Sequence, residues 1–231
     1  MVDSNTDVPA MVVTIDGPAG AGKTSVSKLL ARRLGYRYID TGALYRGIAL
    51  AAHEAGIASD DDNALAQLCQ TLFLDFVKSP DGLRLMLDER DITDYIRTPQ
   101  VTMMASAVSA RPAVRDHLLE IQRTMGAGKS VVLEGRDMGT VVFPDAEMKF
   151  FLDADPKLRA RRRFEELQAK NVNSVRLQDV EKDMLLRDKN DRSRSVAPLK
   201  PAEDAIRIDS TQLTIEQVVA AMLDHIRAKW S

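Results

Sequence analysis

The sequence predicts an α/β fold in which helices cover both faces of a parallel β-sheet. Short apolar runs typical of buried strands alternate along the chain with longer segments whose apolar residues recur at helical spacing. A glycine-rich loop separates the first apolar run from the first helical segment. Because ligands of such sheets bind at the carboxyl ends of the strands, we expect functional residues in the loops that follow them.

The first of these loops, residues 17–24, reads G-P-A-G-A-G-K-T. It follows the apolar run 11–16 and precedes a helical pattern over 25–33, which is the context that a P-loop requires. Glycines allow a tight turn whose amides face phosphate oxygens, and the helix N-terminus adds positive potential. We therefore predict ATP or GTP binding, with Lys23 at the β- and γ-phosphates and Thr24 on Mg²⁺. The residues predicted to bind the nucleotide are Gly17, Pro18, Ala19, Gly20, Ala21, Gly22, Lys23, Thr24 and Ser25.

Composition restricts the classes of protein to consider. The chain has 231 residues, 45% of them hydrophobic, and a formal net charge of −2. A nucleic-acid-binding protein usually carries a strong basic excess, so we expect no nucleic-acid partner. No apolar run is long enough to span a membrane, and the single cysteine, Cys69, fits a reducing compartment. We predict a soluble cytoplasmic protein without a membrane partner, whose residues 1–10 form a disordered tail rather than a secretory signal.

The remaining elements follow from periodicity and capping residues. Strands are predicted over residues 36–40, 130–133, 149–152 and 205–208. Helices are predicted over 43–55, from a cap at 59–62 to 71, over 99–109 and 112–126, from a cap at 155–156, and over 176–189 and 214–229. Thr98 is the predicted cap of the helix over 99–109, and Thr214 and Gln217 match a capping box at the start of the last helix.

One segment interrupts the alternation of strands and helices. Residues 72–77 and 83–87 have the pattern of two strands joined by a turn at 79–82, and a short third strand is predicted near 88–91. We interpret this antiparallel patch as an insertion.

A loop with the sequence D-T-G-A-L-Y-R, residues 40–46, follows the second predicted strand. Its Thr41, Tyr45 and Arg46 fit an anion-binding group at the start of a helix, because Arg46 lies about one helical turn beyond Thr41. A capped helix with a surface arginine is the alternative.

A second polar loop, residues 134–137, follows the apolar strand near 131–133. Arg136 would hold a phosphate, and the carboxylate of Asp137 would accept a substrate proton or orient water around Mg²⁺. A purely structural ion pair is the alternative.

Two arginine-rich segments follow later in the chain. Arginines 159, 161, 162 and 163 crowd one helix, and they fit either a mobile lid on a transferring phosphoryl group or a solvated charged face. Arg187, Asp191 and Arg194 recur at helical spacing, and they fit either a ligand-facing surface or a salt-bridged helix end.

Taken together, these motifs resemble the bacterial cytidylate kinase family. The strings that carry the resemblance are G-P-A-G-A-G-K-T at 17–24, D-T-G-A-L-Y-R at 40–46, G-R-D-M-G-T-V-V-F-P-D-A at 135–146 and R-S-V-A-P-L at 194–199. The resemblance covers about residues 11–229 and implies a P-loop NTPase of the nucleoside-monophosphate-kinase type. This three-layer fold would have a five-stranded parallel core sheet (11–40, 128–155 and 196–231), an inserted NMP-binding region (41–127) and an arginine-rich lid (156–195).

The resemblance also implies roles for individual residues. It places the acceptor phosphate on Thr41, Tyr45, Arg46 and Arg136, the cytosine on Ser106, Arg115, Asp137 and Arg194, and the ribose on Arg187 and Asp191. It implies that Lys23, Arg136, Asp137, Arg159 and Arg163 are catalytic. It places Mg²⁺ on Thr24 and, through water, on Glu134, a residue that stands where many relatives have aspartate.

The reaction that the resemblance implies is ATP- and Mg²⁺-dependent phosphoryl transfer to CMP or dCMP, a step of pyrimidine nucleotide metabolism. It would give ADP and CDP or dCDP. Other P-loop kinases, acting on UMP, AMP or a sugar acid, remain alternatives, and so does a nucleotide-binding switch protein. We expect a monomer, because no long apolar stripe is left over.

Overall fold

The computed structural model describes residues 8–80, 82–169 and 175–230. The chain divides into two compact units, one built from Met1–Tyr38 and Gly128–Ser231 and the other from Ile39–Ala127. Four predictions fall at least partly outside the described residues: the tail over 1–7, the turn at Asp81, the part of the lid at 170–174 and the last residue, 231, of the core range.

The strands and helices lie close to their predicted positions. The strands are β1 (Val12–Asp16), β2 (Arg37–Asp40), β3 (Leu74–Ser79), β4 (Gly82–Leu87), β5 (Arg90–Asp91), β6 (Val131–Gly135), β7 (Met148–Asp153) and β8 (Ile206–Asp209). The helices are α1 (Lys23–Leu34), α2 (Thr41–Glu54), α3 (Asp62–Thr71), α4 (Pro99–Val108), α5 (Pro112–Gly126), α6 (Pro156–Ala169), α7 (Leu177–Ser193) and α8 (Ile215–Trp230). Within the described residues, none of the helices combines the length and apolarity that crossing a bilayer needs.

The predicted five-stranded parallel sheet is confirmed, with strand order β2-β6-β1-β7-β8. Strand β1 is buried along its whole length, as its apolar sequence predicts for a central strand. Its last residue, Asp16, is in register with Gly135 of β6 and Phe151 of β7. The loops that follow β1 and β6 therefore leave the sheet at the same level.

Helices α1 and α8 pack on one face of this sheet. Leu30 of α1 and Met222 of α8 share a buried cluster with Val13 and Phe150 of the sheet. Val8 packs against the same cluster, and the hydroxyl of Tyr36 donates a hydrogen bond of 2.6 Å to the carbonyl of Pro9. The predicted end of the tail at residue 10 is therefore too late in the chain.

The second unit surrounds its own hydrophobic core. Helices α2 to α5 contribute to that core together with the three-stranded sheet β3-β4-β5, whose neighbouring strands pair antiparallel. The antiparallel pairing predicted for this segment is thus confirmed. Gly47 of α2 lies against Leu74 and Leu85, and a side chain at this position would come within 2.9 Å of Leu74.

Several helix starts are held by the caps that the sequence predicts. The carboxylate of Asp61 accepts the amide of Ala64 at 3.0 Å, and the hydroxyl of Thr98 accepts the amide of Val101 at 3.3 Å. Thr214 and Gln217 form a reciprocal capping box with hydrogen bonds of 2.8 and 3.2 Å. Two short helical turns, Tyr95–Arg97 and Met138–Val142, were not predicted.

Candidate active site

The glycine-rich loop needs glycine for backbone reasons. Gly17, Gly20 and Gly22 have φ values of 148°, 73° and 89°, in the region that side chains disfavour. A Cβ atom on Gly17 would also overlap the carbonyl oxygen of Leu152 at the end of β7. The loop is therefore held tightly against the sheet, and it ends where α1 begins at Lys23.

Lys23 is buried at the first residue of α1, with 7% of its surface exposed. Its Nζ atom donates a hydrogen bond of 2.7 Å to the carbonyl of Pro18. Burial, together with the nearby guanidinium groups of Arg136 and Arg187, lowers the pKa of Lys23 to about 7, although Glu134 and Asp16 oppose this. An anionic ligand beside this amine would restore its charge.

Side-chain oxygens of Thr24, Tyr38 and Glu134 meet beside this loop. The hydroxyl of Thr24 donates a hydrogen bond of 2.8 Å to Oε1 of Glu134, and the hydroxyl of Tyr38 donates to the same oxygen at 2.5 Å. Hydroxyl and carboxylate oxygens are ligands that Mg²⁺ prefers, so these residues fit the predicted ion. No cluster of three or more His, Cys, Asp or Glu side chains suited to a metal occurs among the described residues. Mg²⁺ is commonly held by few protein ligands together with nucleotide phosphates.

Arg159 and Ser210 donate hydrogen bonds to carbonyls of the P-loop. Nη1 of Arg159 donates to the carbonyl of Ala19 at 3.1 Å, and Oγ of Ser210 donates to the carbonyl of Ala21 at 3.1 Å. Arg159 also forms a 2.7 Å ion pair with Asp188 of α7. Through these contacts the P-loop backbone is fixed to α6, α7 and the end of β8.

The predicted lid arginines have different surroundings. Arg159 has a side chain only 2% exposed, whereas that of Arg163 is 28% exposed and pairs with Glu166 on the same helix. Nη2 of Arg162 donates to the carbonyl of Ser210 at 3.0 Å, and Arg161 is exposed. Of the two lid arginines predicted to be catalytic, Arg163 is the more accessible.

The loop after β6 meets the C-terminal end of α7. Nε of Arg136 donates to Oδ2 of Asp191 at 3.2 Å, and its Nη1 donates to the carbonyl of Gly135 at 3.1 Å. Nη2 of Arg194 lies 3.7 Å from Oδ1 of Asp137. The structure thus brings together four of the residues predicted to bind the acceptor.

In the second unit, the predicted anion-binding residues occupy the start of α2. Nη2 of Arg46 lies 2.6 Å from Oδ2 of Asp40, and Nη2 of Arg97 lies 3.1 Å from the same oxygen. Burial alone would raise the pKa of Asp40, but these two guanidinium groups hold it below its ordinary value. Nε of Arg46 is buried and makes no hydrogen bond to any described residue. Thr41 is the first residue of α2 and directly follows Asp40 in sequence, and it is buried.

The base-binding residues predicted in the same unit lie on α4 and α5. The guanidinium of Arg115 lies 5.8 Å from the ring centre of Tyr45, and its Nη1 donates to the carbonyl of Ser109 at 3.2 Å. Ser106 lies in the last turns of α4, where its carbonyl accepts the hydroxyl of Ser109 at 2.8 Å. Tyr45, predicted to bind the acceptor phosphate, and Arg115, predicted to bind the base, are therefore neighbours.

Comparison with known proteins identifies the family. The family model described as cytidylate kinase matches residues 13–228. The chain belongs to the cytidylate kinase family. The family predicted from the motifs is thereby confirmed, and with it the enzyme class, a nucleoside monophosphate kinase.

Relatives of the cytidylate kinase family match almost the whole chain. A cytidylate kinase of Geobacter sp. (strain M21) is 53% identical over 212 residues, which cover 92% of this chain and 91% of that protein. One from Citrifermentans bemidjiense (strain ATCC BAA-1014 / DSM 16622 / JCM 12645 / Bem) is 50% identical over 219 residues, covering 95% and 94%. A crystal structure of an uncharacterized protein from Eubacterium ventriosum ATCC 27560 shares the fold with a TM-score of 0.52 at 12% identity, covering 95% of this chain and 99% of that one.

Sequence reasoning gave no role to several polar residues of this cytidylate kinase family member. Asp16, Asp188 and Ser210 are buried, and each bonds to a loop or side chain of the site. Arg97 and Arg46 both form ion pairs with the carboxylate of Asp40. A signal was present for Asp16 alone, because a carboxylate that ends a fully buried strand needs a specific partner.

The lowered pKa of Lys23 predicts proton uptake when a nucleotide binds. Near pH 8 an amine with a pKa of about 7 is mostly neutral, and adjacent phosphates would raise its pKa. We expect MgADP binding to take up most of one proton, which titration calorimetry in buffers of different ionisation enthalpy would measure. With Lys23→Arg the uptake should disappear, because a guanidinium is always protonated. Binding heats that do not depend on the buffer for the unaltered protein would contradict the prediction.

Proposed function

We propose that this chain transfers the γ-phosphoryl group of ATP to CMP or dCMP, giving ADP and CDP or dCDP. One observation carries the proposal. The P-loop with Lys23 and the loop with Arg136 and Asp137 leave neighbouring parallel strands at the same level of the sheet. A donor phosphate chain on the first loop would therefore lie next to cationic and carboxylate groups on the second.

The proposed chemistry depends on positioning rather than on a strong base. A phosphate monoester oxygen is already a competent nucleophile, so the protein must align it with the γ-phosphorus and neutralise charge. Lys23 and the amides of the P-loop would bind the donor phosphates. Thr24 and, through water, Glu134 would hold Mg²⁺, which supplies further charge neutralisation on those phosphates when bound.

The acceptor phosphate is assigned to guanidinium groups. Arg46 supports this assignment because its buried Nε has no hydrogen-bond partner among the described residues, so a donor is available for an anion. Arg136 supports it through its position directly after β6. Thr41 and Tyr45 would complete the group on α2.

The base and the sugar are assigned to the remaining polar residues. Ser106, Arg115, Asp137 and Arg194 would satisfy the polar edge of cytosine, and Arg187 and Asp191 would contact the ribose. A site built to pair those atoms rejects uracil, because its own donors and acceptors would be left unpaired. The 3.7 Å approach of Arg194 to Asp137 supports their joint role.

Charge on the transferring group is assigned chiefly to Arg163. Its side chain is more exposed than that of Arg159, and it would leave Glu166 for a phosphoryl oxygen at low cost, because an exposed ion pair contributes little to stability. Arg159, which holds the P-loop carbonyl of Ala19, would act from behind the donor site.

We also propose that the protein acts as a cytoplasmic monomer with nucleotides as its ligands and without nucleic acid. The net charge of −2 and the buried thiol of Cys69 support this setting. Light scattering coupled to size-exclusion chromatography would measure the oligomeric state.

A panel of acceptors tests the proposed reaction. ADP release from MgATP would be followed with CMP, dCMP, UMP, AMP, a sugar acid or no acceptor. We expect kcat/KM for CMP or dCMP to exceed that for UMP by at least about 100-fold, because the rejected base leaves buried polar groups unpaired. Turnover without any acceptor would instead indicate a nucleotide-hydrolysing switch, and faster turnover with UMP, AMP or the sugar acid would indicate another kinase.

A further inference from the structure

A buried carboxylate, that of Asp16, connects the start of the P-loop to the loop that follows β6. Asp16 ends β1 with 4% of its surface exposed. Its Oδ1 accepts the amide of Met138 at 2.9 Å, and its Oδ2 accepts the amide of Gly139 at 2.8 Å. Both amides belong to the helical turn Met138–Val142, which directly follows Arg136 and Asp137.

Burying the carboxylate of Asp16 costs free energy unless both of its oxygens accept hydrogen bonds. Burial raises the pKa of Asp16 to about 6, although the two amides and Lys23 oppose that rise. A buried carboxylate is tolerated when hydrogen bonds replace the lost water. The carboxylate of Asp16 therefore depends on the turn, and the turn depends on Asp16.

The turn lies close to β1 because residue 139 has no side chain. A Cβ atom on Gly139 would lie 3.1 Å from Oγ1 of Thr14 and 3.3 Å from Cδ of Lys149. The other side of the turn is tied to Asp137, whose carbonyl accepts the amides of residues 141 and 142 at 2.9 and 3.2 Å. A continuous set of contacts thus runs from β1 to the backbone of Asp137.

We propose that Asp16 is a positioning residue for phosphoryl transfer. Its carboxylate fixes the turn after β6, and the turn fixes Arg136 and Asp137 relative to the P-loop, which begins at the residue after Asp16. The inference rests on the proposed function, because it requires that Arg136 and Asp137 engage the acceptor. Displacing reacting groups by about 1 Å can cost on the order of 100-fold in rate, so a single anchor of this kind would affect turnover strongly.

The near-isosteric change Asp16→Asn tests this role. An amide oxygen accepts one of the two N–H groups, but the amide NH₂ faces the other donor, so one end of the turn is released. We expect kcat with CMP to fall by about 10- to 100-fold. We expect the affinity for MgADP, measured by calorimetry, to change less than about threefold, because the P-loop amides remain in place.

Two further variants make the test specific. Gly139→Ala keeps the carboxylate but pushes the turn away from β1, and it should lower kcat in the same way. Ser27→Ala is the control: Ser27 lies on α1, is fully buried, and its hydroxyl makes no hydrogen bond to any described residue. We expect kcat of this control to remain within about twofold, since no hydrogen bond is lost.

The outcomes separate this inference from the proposed function. A folded Asp16→Asn protein with unaltered kcat would overturn the positioning role alone, provided that the unaltered chain phosphorylates CMP. A loss of MgADP affinity equal to the loss of kcat would also overturn it, because Asp16 would then support only the donor loop. Failure of both Asp16→Asn and Gly139→Ala to fold would assign these residues to stability alone. Absence of CMP turnover by the unaltered chain would overturn both proposals.

Discussion

Replacing Lys23 with alanine is expected to lower kcat at least about 1,000-fold, because it removes a fixed cation from the donor phosphates. The amine is pre-positioned, since it begins α1 and is held by the carbonyl of Pro18 at 2.7 Å. A group that is already in place costs no reorganisation when charge develops on the transferring phosphoryl group.

The charge of Lys23 is not expected to stabilise the nucleotide-free fold. Burial lowers the pKa of Lys23 from 10.5 to about 7, so the unfolded chain holds this proton more tightly than the folded chain. The charge at Lys23 therefore opposes folding at every pH below about 10, the region in which the unfolded chain is protonated. Loss of this charge, taken by itself, should therefore not lower the melting temperature at neutral pH.

Steady-state kinetics with CMP and thermal melting measure the two effects of Lys23→Ala together. Lys28→Ala is the matched control, because Lys28 is exposed on the same helix and lies 5.6 Å from the ring centre of Tyr38. We expect its kcat to stay within about twofold, as for most surface substitutions. Turnover of Lys23→Ala at the rate of the unaltered protein would contradict the assignment of the donor site.

The elements of the fold could be predicted because their signals are local. The apolar run that forms β1, the cap at Thr98 before Pro99, and the capping box of Thr214 and Gln217 each lie within a few residues of the structure they determine. Boundaries were less accurate: α2 begins at Thr41 rather than at residue 43, because Asp40 in the preceding strand already adopts the extended conformation of an N-cap.

Contacts between distant residues could not be predicted in this way. Asp16 and Met138 are 122 positions apart, and Ser210 and Ala21 are 189 apart. No periodicity or capping pattern links such pairs, since only the packed sheet brings them together. The unpredicted turn Met138–Val142 has the same origin, because its first two amides bond to Asp16 rather than to neighbours in sequence.

The arginines illustrate the same limit within the candidate site. The sequence identified a cluster at 159–163, and the family resemblance assigned a catalytic role to Arg159 and Arg163 alike. The structure buries Arg159 against the P-loop and leaves Arg163 more exposed on the same helix. A long charged side chain can be buried only where polar partners surround it. The partners of Arg159 are the carbonyl of Ala19 and the carboxylate of Asp188, which are distant from it in sequence.

Arg46→Lys is expected to damage turnover although it preserves the charge. Each charge-assisted hydrogen bond that the guanidinium makes is worth about 1.5–3 kcal/mol, so loss of one bond lowers kcat/KM for CMP by roughly 10- to 100-fold. Arg46 already uses Nη2 on Asp40 and has a buried Nε available for an anion. A lysine carries a compact ammonium group, which cannot satisfy both the carboxylate and a phosphate with the geometry of a planar fork.

Arg90→Lys provides the control that isolates this geometry. Arg90 also forms a two-pronged pair in the same unit, with hydrogen bonds of 3.1 and 2.6 Å to Glu54, but the pair is half-exposed. A two-pronged ion pair that is exposed to water contributes little free energy, so kcat/KM of Arg90→Lys should stay within about twofold of the unaltered value. KM for MgATP should stay nearly unchanged in both variants, since Arg46 is assigned to the acceptor. If Arg46→Lys and Arg90→Lys lowered kcat/KM for CMP equally, the guanidinium of Arg46 would have no special role. The proposal that α2 binds the acceptor phosphate would then be contradicted.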